Sequence, residues 1–234
     1  MANTTSSKKS LRIGIMLEGV QLSDIVGVDI FGNLSRGYMD EVKVLDPNIA
    51  AFEEHAVDME FFYIATTLEP TVMVPGLNFT FQPNVTYDDC PRDLDLVLIG
   101  GPTPAHRPAQ ADKFIKEAWP KTRVWITTCI GSAWLASAGV LEGRKCTTNK
   151  GFLGVVQQMY PDTEWLHQRW VVDDKPYDGP DGKGELWTSG GAGAGIEMIA
   201  EYCLKNFNRD FVTALALEAL EFNPAGSRGQ FYSS

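Results

Sequence analysis

The sequence predicts an α/β fold in which a largely parallel sheet is covered by helices on both faces. Three observations lead there. Short apolar runs such as Leu11-Arg-Ile-Gly-Ile-Met-Leu17 and Leu94-Asp-Leu-Val-Leu-Ile99 read as buried strands. These runs alternate with segments of helical period, as strand-helix-strand units do. Glycine pairs or a cysteine then stand where a strand gives way to a helix, at Gly100-Gly101, Cys129 and Gly190-Gly191.

Taken in order, Leu11 to Leu17 is the first strand, and Asp24 to Arg36 carries Ile25, Val28, Ile30, Phe31 and Leu34 close to a helical period. A short strand is expected at Val42 to Leu45, then a partly helical insertion over Pro47 to Met59 and a strand over Phe61 to Ala65. Thr71 to Val74 and Phe79 to Gln82 flank Pro75-Gly76, a turn signal that predicts a small hairpin. Leu94 to Ile99 ends at Gly100-Gly101-Pro102 and leads into a helix over Pro108 to Ala118. Val124 to Thr128 is a strand that stops at Cys129, where small helix-forming residues begin. Beyond it the pattern gives a strand at Arg144 to Thr148, a helix at Phe152 to Met159 and a strand at Gln168 to Asp173. A polar turn over Asp173 to Gly184 precedes a strand at Glu185 to Ser189 and helices at Ala192 to Asn206 and Asp210 to Leu220. Residues 1–10 read as a disordered tail, 11–222 as a single domain, and 223–234 as an irregular tail that packs on the body or on a partner.

Composition narrows the function. With 234 residues and 44% hydrophobic content the chain can bury one substantial core. A net charge of −10 argues against nucleic acid and anionic membrane surfaces, which need concentrated Lys and Arg. A small-molecule partner fits better. No window approaches the roughly 20 apolar residues of a spanning helix, and Cys90, Cys129, Cys146 and Cys203 are expected to stay thiols in a reducing cytoplasm.

The stretch from Val124 to Gly139 carries the chemistry. A side chain at a strand-to-helix turn sits in a tight, often strained backbone at the carboxyl edge of the sheet, and helix N-terminal amides favour a thiolate there. Cys129 therefore reads as a nucleophile at an elbow, with an exposed and activated sulfur. The competing reading is a small buried core residue. In a parallel sheet the loops at the carboxyl ends of the strands converge on one crevice. Glu18 to Asp24, Gly100-Gly101 and Cys129 all fall at such ends. Asp24 is either an acid beside the thiol or a helix cap. Gly100 and Gly101 either make a tight turn or let backbone approach a ligand.

Four ordered motifs resemble the ThiJ/PfpI superfamily, from about Leu11 to Glu221. They are Gly19-Val-Gln-Leu-Ser-Asp24 with Val28-Asp-Ile-Phe31, Leu98-Ile-Gly-Gly101, Thr128 to Arg144 with Cys146-Thr-Thr148, and Leu186 to Gly195. The branch of isonitrile hydratases is the most similar. The resemblance implies a flavodoxin-like sandwich, usually a homodimer. It implies Cys129 as the reactive thiol, Asp24 as the acid that hydrogen-bonds it, and backbone amides near Gly101, Gly100 and Ile130 as an anion hole. Hydratases of this kind carry Thr after the nucleophile and glyoxalase-like members often carry His, whereas this chain has Ile130. His commonly follows the Thr-Thr segment, and here it is Asn149, so no Cys-His pair is expected from that position.

His106, on the loop after Gly101, is the best placed of the three histidines to act as a base. Trp134, Ser189 and Asn149 are candidate pocket residues, and Glu18 is an alternative acid. Close pairs of His or Cys at ligand spacing are lacking, so no metal is expected. Gly190-Gly-Ala-Gly-Ala-Gly195 comes too late in the chain for a dinucleotide loop, so no organic cofactor is expected. The leading expectation is hydration of an isonitrile to an N-formamide by Cys129. The alternatives are glyoxalase-like conversion of methylglyoxal, a specialised secondary-metabolism reaction on the same scaffold, or a redox sensor without turnover.

Overall fold

A computed structural model describes residues 10–74, 76–103, 105–223 and 226–232. In chain order it contains β1 (Leu11–Met16), α1 (Val28–Asn33), α2 (Arg36–Val42), β2 (Met59–Ala65), β3 (Thr71–Val72), β4 (Thr80–Phe81), β5 (Val85–Thr86), β6 (Leu96–Ile99), α3 (Ala109–Ala118), β7 (Val124–Thr127) and α4 (Gly131–Ser137). There follow β8 (Lys145–Cys146), α5 (Leu153–Met159), β9 (Glu164–Trp165), β10 (Trp170–Pro176), β11 (Lys183–Ser189), α6 (Ala192–Asn206) and α7 (Arg209–Phe211).

Seven strands form the central sheet in the order β10-β11-β7-β6-β1-β2-β5. Every pairing is parallel except that of β10 with β11. The central parallel strands are largely apolar because helices pack around the sheet: all four residues of β6 and of β7 are buried. This is the flavodoxin-like α/β arrangement that the sequence predicts. Among the described residues no helix is long and apolar enough to cross a membrane.

The differences from expectation have local causes. Val42 to Leu45 is not a strand. Ser35 caps α2 by accepting from the Tyr38 N–H at 3.2 Å, Met39 anchors that helix in the core, and Val44 and Leu45 stay exposed, so nothing buries an extended segment there. The expected helix from Asp24 is a 3-10 turn over Leu22–Asp24 followed by α1. The strand around Arg144 shortens to β8 and pairs with β9 outside the main sheet. The last helix continues from α7 as a π-helical segment over Val212–Leu217. The hairpin of β3 and β4 forms as an antiparallel pair, with Pro75 of its turn outside the described residues. Residues 1–9 of the expected N-terminal tail also lie outside them. Residues 226–232 are irregular and held down: the Arg169 side chain meets Glu197 and donates to the Gly229 carbonyl at 2.7 Å, and Tyr232 stacks on His167 at 4.7 Å.

Candidate active site

The carboxyl ends of β1, β6, β7 and β11 meet at one corner. Cys129 sits there at φ +57°, a left-handed conformation that costs an L-residue about 1–2 kcal/mol. Its neighbours hold it in place. The Thr128 N–H donates to Ile99 at 2.9 Å, the Cys129 N–H to Gly190 at 2.5 Å, and Thr148 Oγ1 to the Cys129 carbonyl at 3.1 Å. The turn into α4 admits only glycine at 131, since a β-carbon there would lie 2.6 Å from the Ile99 carbonyl oxygen. The elbow that the sequence predicts is therefore present, and its strain is confined to the residue that carries the thiol.

Asp24 faces this thiol. Its side chain hydrogen-bonds with Cys129, and its Oδ2 accepts the Gly101 N–H at 3.0 Å, so it is an acid turned into the site and not a helix cap. A β-carbon on Gly101 would come within 2.6 Å of Asp24 Oδ2 and 3.1 Å of Cys129 Sγ. Glycine is needed here for close approach. The Gly101 N–H, expected in an anion hole, is instead spent on positioning Asp24. Gly100 packs against Val20, Ile25 and Asp24. The Ile130 N–H is the backbone donor that reaches the sulfur.

Cys129 is not the exposed, activated thiolate expected from the sequence. It is 8% exposed, and burial, with the facing Asp24 charge, pushes its thiol up to about 11. Hydrogen bonds from Asn149 and the Ile130 N–H work in the other direction and do not outweigh burial. Burial also lifts the Asp24 carboxyl above the usual Asp value, against the Gly101 N–H and the thiol contact. The sulfur is the weaker acid of the two. Burial thus shifts both groups towards their neutral forms, and the Asp24 carboxyl is the group placed to accept the proton when the sulfur attacks.

Other expected residues separate into those that reach the sulfur and those that do not. Asn149 does: its Nδ2 lies 3.4 Å from Cys129 Sγ, while its Oδ1 accepts the Gly151 N–H at 2.9 Å, which fixes the amide's orientation. His106 does not. Its Nε2 lies 3.7 Å from Glu18 Oε2, and its ring meets Trp134 edge to face at 5.8 Å. Glu18 in turn accepts from the Thr66 backbone and hydroxyl at 2.9 and 2.7 Å, so neither member of that pair serves the thiol. Trp134 is fully buried core, and Ser189 is buried with its hydroxyl on the Thr127 carbonyl at 3.3 Å. Neither lines the crevice.

The crevice over Cys129 has a volume of about 250 Å³ and is walled by Gln21, Val74, Pro102, Thr103, Asn149 and Phe152 with the elbow residues. That is below the roughly 300–1,000 Å³ of sites for drug-sized ligands, so the reacting end of a ligand here is small. Gln21 and Thr103 were not picked out from the sequence. They reach the site because their loops join: Gln21 N–H donates to Gly101 at 3.1 Å and Thr103 N–H to Gly19 at 2.8 Å. Gln21 lies inside the Gly19 to Asp24 motif, which was the available signal.

Comparisons with known proteins bear on the fold and the family. The DJ-1/PfpI family profile matches residues 34–204. The chain is 26% identical over 171 residues to isonitrile hydratase of Pseudomonas putida, covering 72% of this chain and 68% of that one. It is 30% identical over 146 residues to deglycase PfpI of Pyrococcus furiosus, covering 60% of this chain and 82% of the other. Among solved structures, a ThiJ/PfpI family protein from Pseudomonas syringae superposes with a TM-score of 0.69 at 19% identity, over 96% of this chain and 82% of its own. An AraC family transcriptional regulator from Pseudomonas putida superposes at 0.64 with 13% identity, over 91% and 100%. At these identities the structures speak for the fold alone. The profile match covers most of the chain, and the chain belongs to the DJ-1/PfpI family.

Proposed function

We propose that the protein is a cysteine-dependent hydro-lyase that converts a small isonitrile to its N-formamide. The observation that carries this reading is a buried thiol hydrogen-bonded to the Asp24 carboxyl in a crevice that fits a small reacting group. The similarity to an isonitrile hydratase supports it.

The reaction follows from the pair. Asp24 takes the thiol proton as Cys129 Sγ bonds to the terminal isonitrile carbon, and returns that proton to the same carbon, leaving a thioimidate. Water then adds to the carbon and the nitrogen gains a proton. The carbon–sulfur bond breaks, the sulfur recovers its proton through Asp24, and the formamide leaves. The sum is one isonitrile and one water giving one formamide, with no oxidant or reductant. The Asn149 amide and the Ile130 N–H stabilise negative charge on the sulfur at attack and at release.

A single proton carrier is enough for this chemistry. Glyoxalase-like chemistry must also move a carbon-bound proton, and His106, the expected base, faces Glu18 at 3.7 Å and not the sulfur. A peroxide sensor reacts through a standing thiolate, and burial with the Asp24 charge pushes this thiol up to about 11. We read the working unit as a homodimer acting on a small molecule in the cytoplasm. The four free thiols, all buried, are compatible with a reducing compartment. The test is loss of a simple alkyl isonitrile, followed by its infrared N≡C stretch, with formamide measured in parallel. Wild type should consume it and Cys129→Ala should not; equal rates, or loss without formamide, would overturn the proposal.

A further inference from the structure

A second cavity of about 270 Å³ adjoins the crevice and shares Ile130 and Phe152 with it. Its wall is mostly apolar: Ala133 on α4, and Val155, Val156 and Met159 on α5. Ser137 and Tyr160 add hydroxyls, and the one cation among the described residues of the wall is Arg107. This side chain is half-buried and makes no ion pair with any carboxylate among the described residues. Its Nη1 donates to the neighbouring His106 carbonyl at 2.7 Å, and its guanidinium lies 5.4 Å from the centre of the Trp134 ring. Tyr160 and Asp112 act on the guanidinium through charge, without an ion pair. A partly desolvated guanidinium that no carboxylate pairs directly is costly unless something supplies a partner, and its planar fork matches a carboxylate.

We propose that this cavity holds the distal part of the substrate, and that the substrate is an isonitrile carrying an apolar chain that ends in a carboxylate bound by Arg107. The inference rests on the reading of Cys129 as an isonitrile nucleophile and adds to it the substrate class. Ile130 and Phe152 form the waist between the two cavities. This gives a role to Ile130 where similar hydratases carry Thr: it continues the apolar wall from the sulfur towards Arg107. One cation in a largely apolar cavity, with the Ser137 and Tyr160 hydroxyls as its other polar groups, suits a monoanion on an alkyl chain.

The binding test does not depend on turnover. Calorimetric titration of the protein with hexanoate and with hexanamide should show binding of the acid at least tenfold tighter than the amide. Arg107→Gln should abolish that preference. Because Arg107 also stacks on Trp134, a second variant guards against misfolding: Val155→Glu, at a half-exposed position on the cavity wall, should weaken hexanoate at least tenfold by repulsion. Equal affinity for acid and amide, or a preference unchanged in both variants, would overturn the inference. The kinetic arm compares an ω-isocyano carboxylate with its methyl ester. Wild type should favour the acid in kcat/KM by at least tenfold, and the ratio should fall to about one in Arg107→Gln. Arg107-dependent binding of hexanoate with no turnover of any isonitrile would sink the reaction reading and leave the carboxylate site standing; isonitrile turnover with no preference for the acid would do the reverse.

Discussion

Two carboxylates in the loop after β1, Asp24 and Glu18, lie at the same sheet edge and end in opposite states. Burial works against the charged form of both. At Glu18 it loses, because His106 and two donors on Thr66 stabilise the carboxylate and hold it below the usual Glu value. At Asp24 it wins, because the Gly101 N–H and a thiol are too little compensation, and the carboxyl rises above the usual Asp value. The lesson is that count and charge of partners decide which acid handles protons near neutrality. Glu18 is a fixed charge that ties β2 to the loop. Asp24 is the group that can change its protonation beside the sulfur.

The sharpest way to break this contrast is at the thiol. Cys129→Ala should lower isonitrile turnover by at least about 10³-fold, since no other thiol among the described residues lines the crevice. Asp24→Asn should follow with a loss of about 10²–10⁴-fold in kcat, the range of a removed general base, measured by formamide release. In the wild type the acid limb of the rate profile should lie above the usual Asp value, because activity requires the Asp24 carboxylate and burial raises its protonation point.

A middle effect belongs to Gly101→Ala. The added β-carbon would meet Asp24 Oδ2 at 2.6 Å and push the acid off the sulfur, so kcat should fall about 10²-fold with the fold intact by circular dichroism.

The smallest effect on rate falls on the other carboxylate. Glu18→Gln should leave turnover within about threefold of wild type and appear in stability instead. Loss of charge-assisted hydrogen bonds to Thr66 should cost about 1.5–3 kcal/mol in denaturant unfolding at pH 7. The sign follows from linkage. A carboxylate lowered in the folded state contributes stability that is present above its unfolded value and is lost as pH falls through the folded value. The difference between variant and wild type should therefore shrink as the medium is acidified below the usual Glu range. A rate loss in Glu18→Gln as large as that in Asp24→Asn would erase the contrast.

Much of this arrangement was legible in the sequence. The apolar run of β7, the cysteine and the small residues of α4 read correctly as a strand, an elbow and a helix, because each preference is local. The boundaries of α6 were equally plain, since two glycines precede a run of helical period. What depends on contacts far along the chain was not legible. By position alone Asp24 reads as a cap or as an acid, and only the resemblance favours the acid until Gly101 is placed 3.0 Å from it by the pairing of β1 with β6. His106 reads as a catalytic base until the bridge between Val20 and Pro102 turns its loop and the ring finds Glu18. The state of the thiol was misread for the same reason: helix amides favour a thiolate, yet enclosure by neighbouring loops and the facing carboxylate outweigh them.

The most direct test of this account is ultraviolet titration of the Cys129 thiolate, taken as the difference between wild type and Cys129→Ser and repeated in the Asp24→Asn background. The account predicts a thiol that ionises at about 11 in the wild type and at clearly lower pH once the Asp24 charge is removed. A thiolate already formed at neutral pH in the wild type, or a midpoint that Asp24→Asn leaves in place, would contradict it.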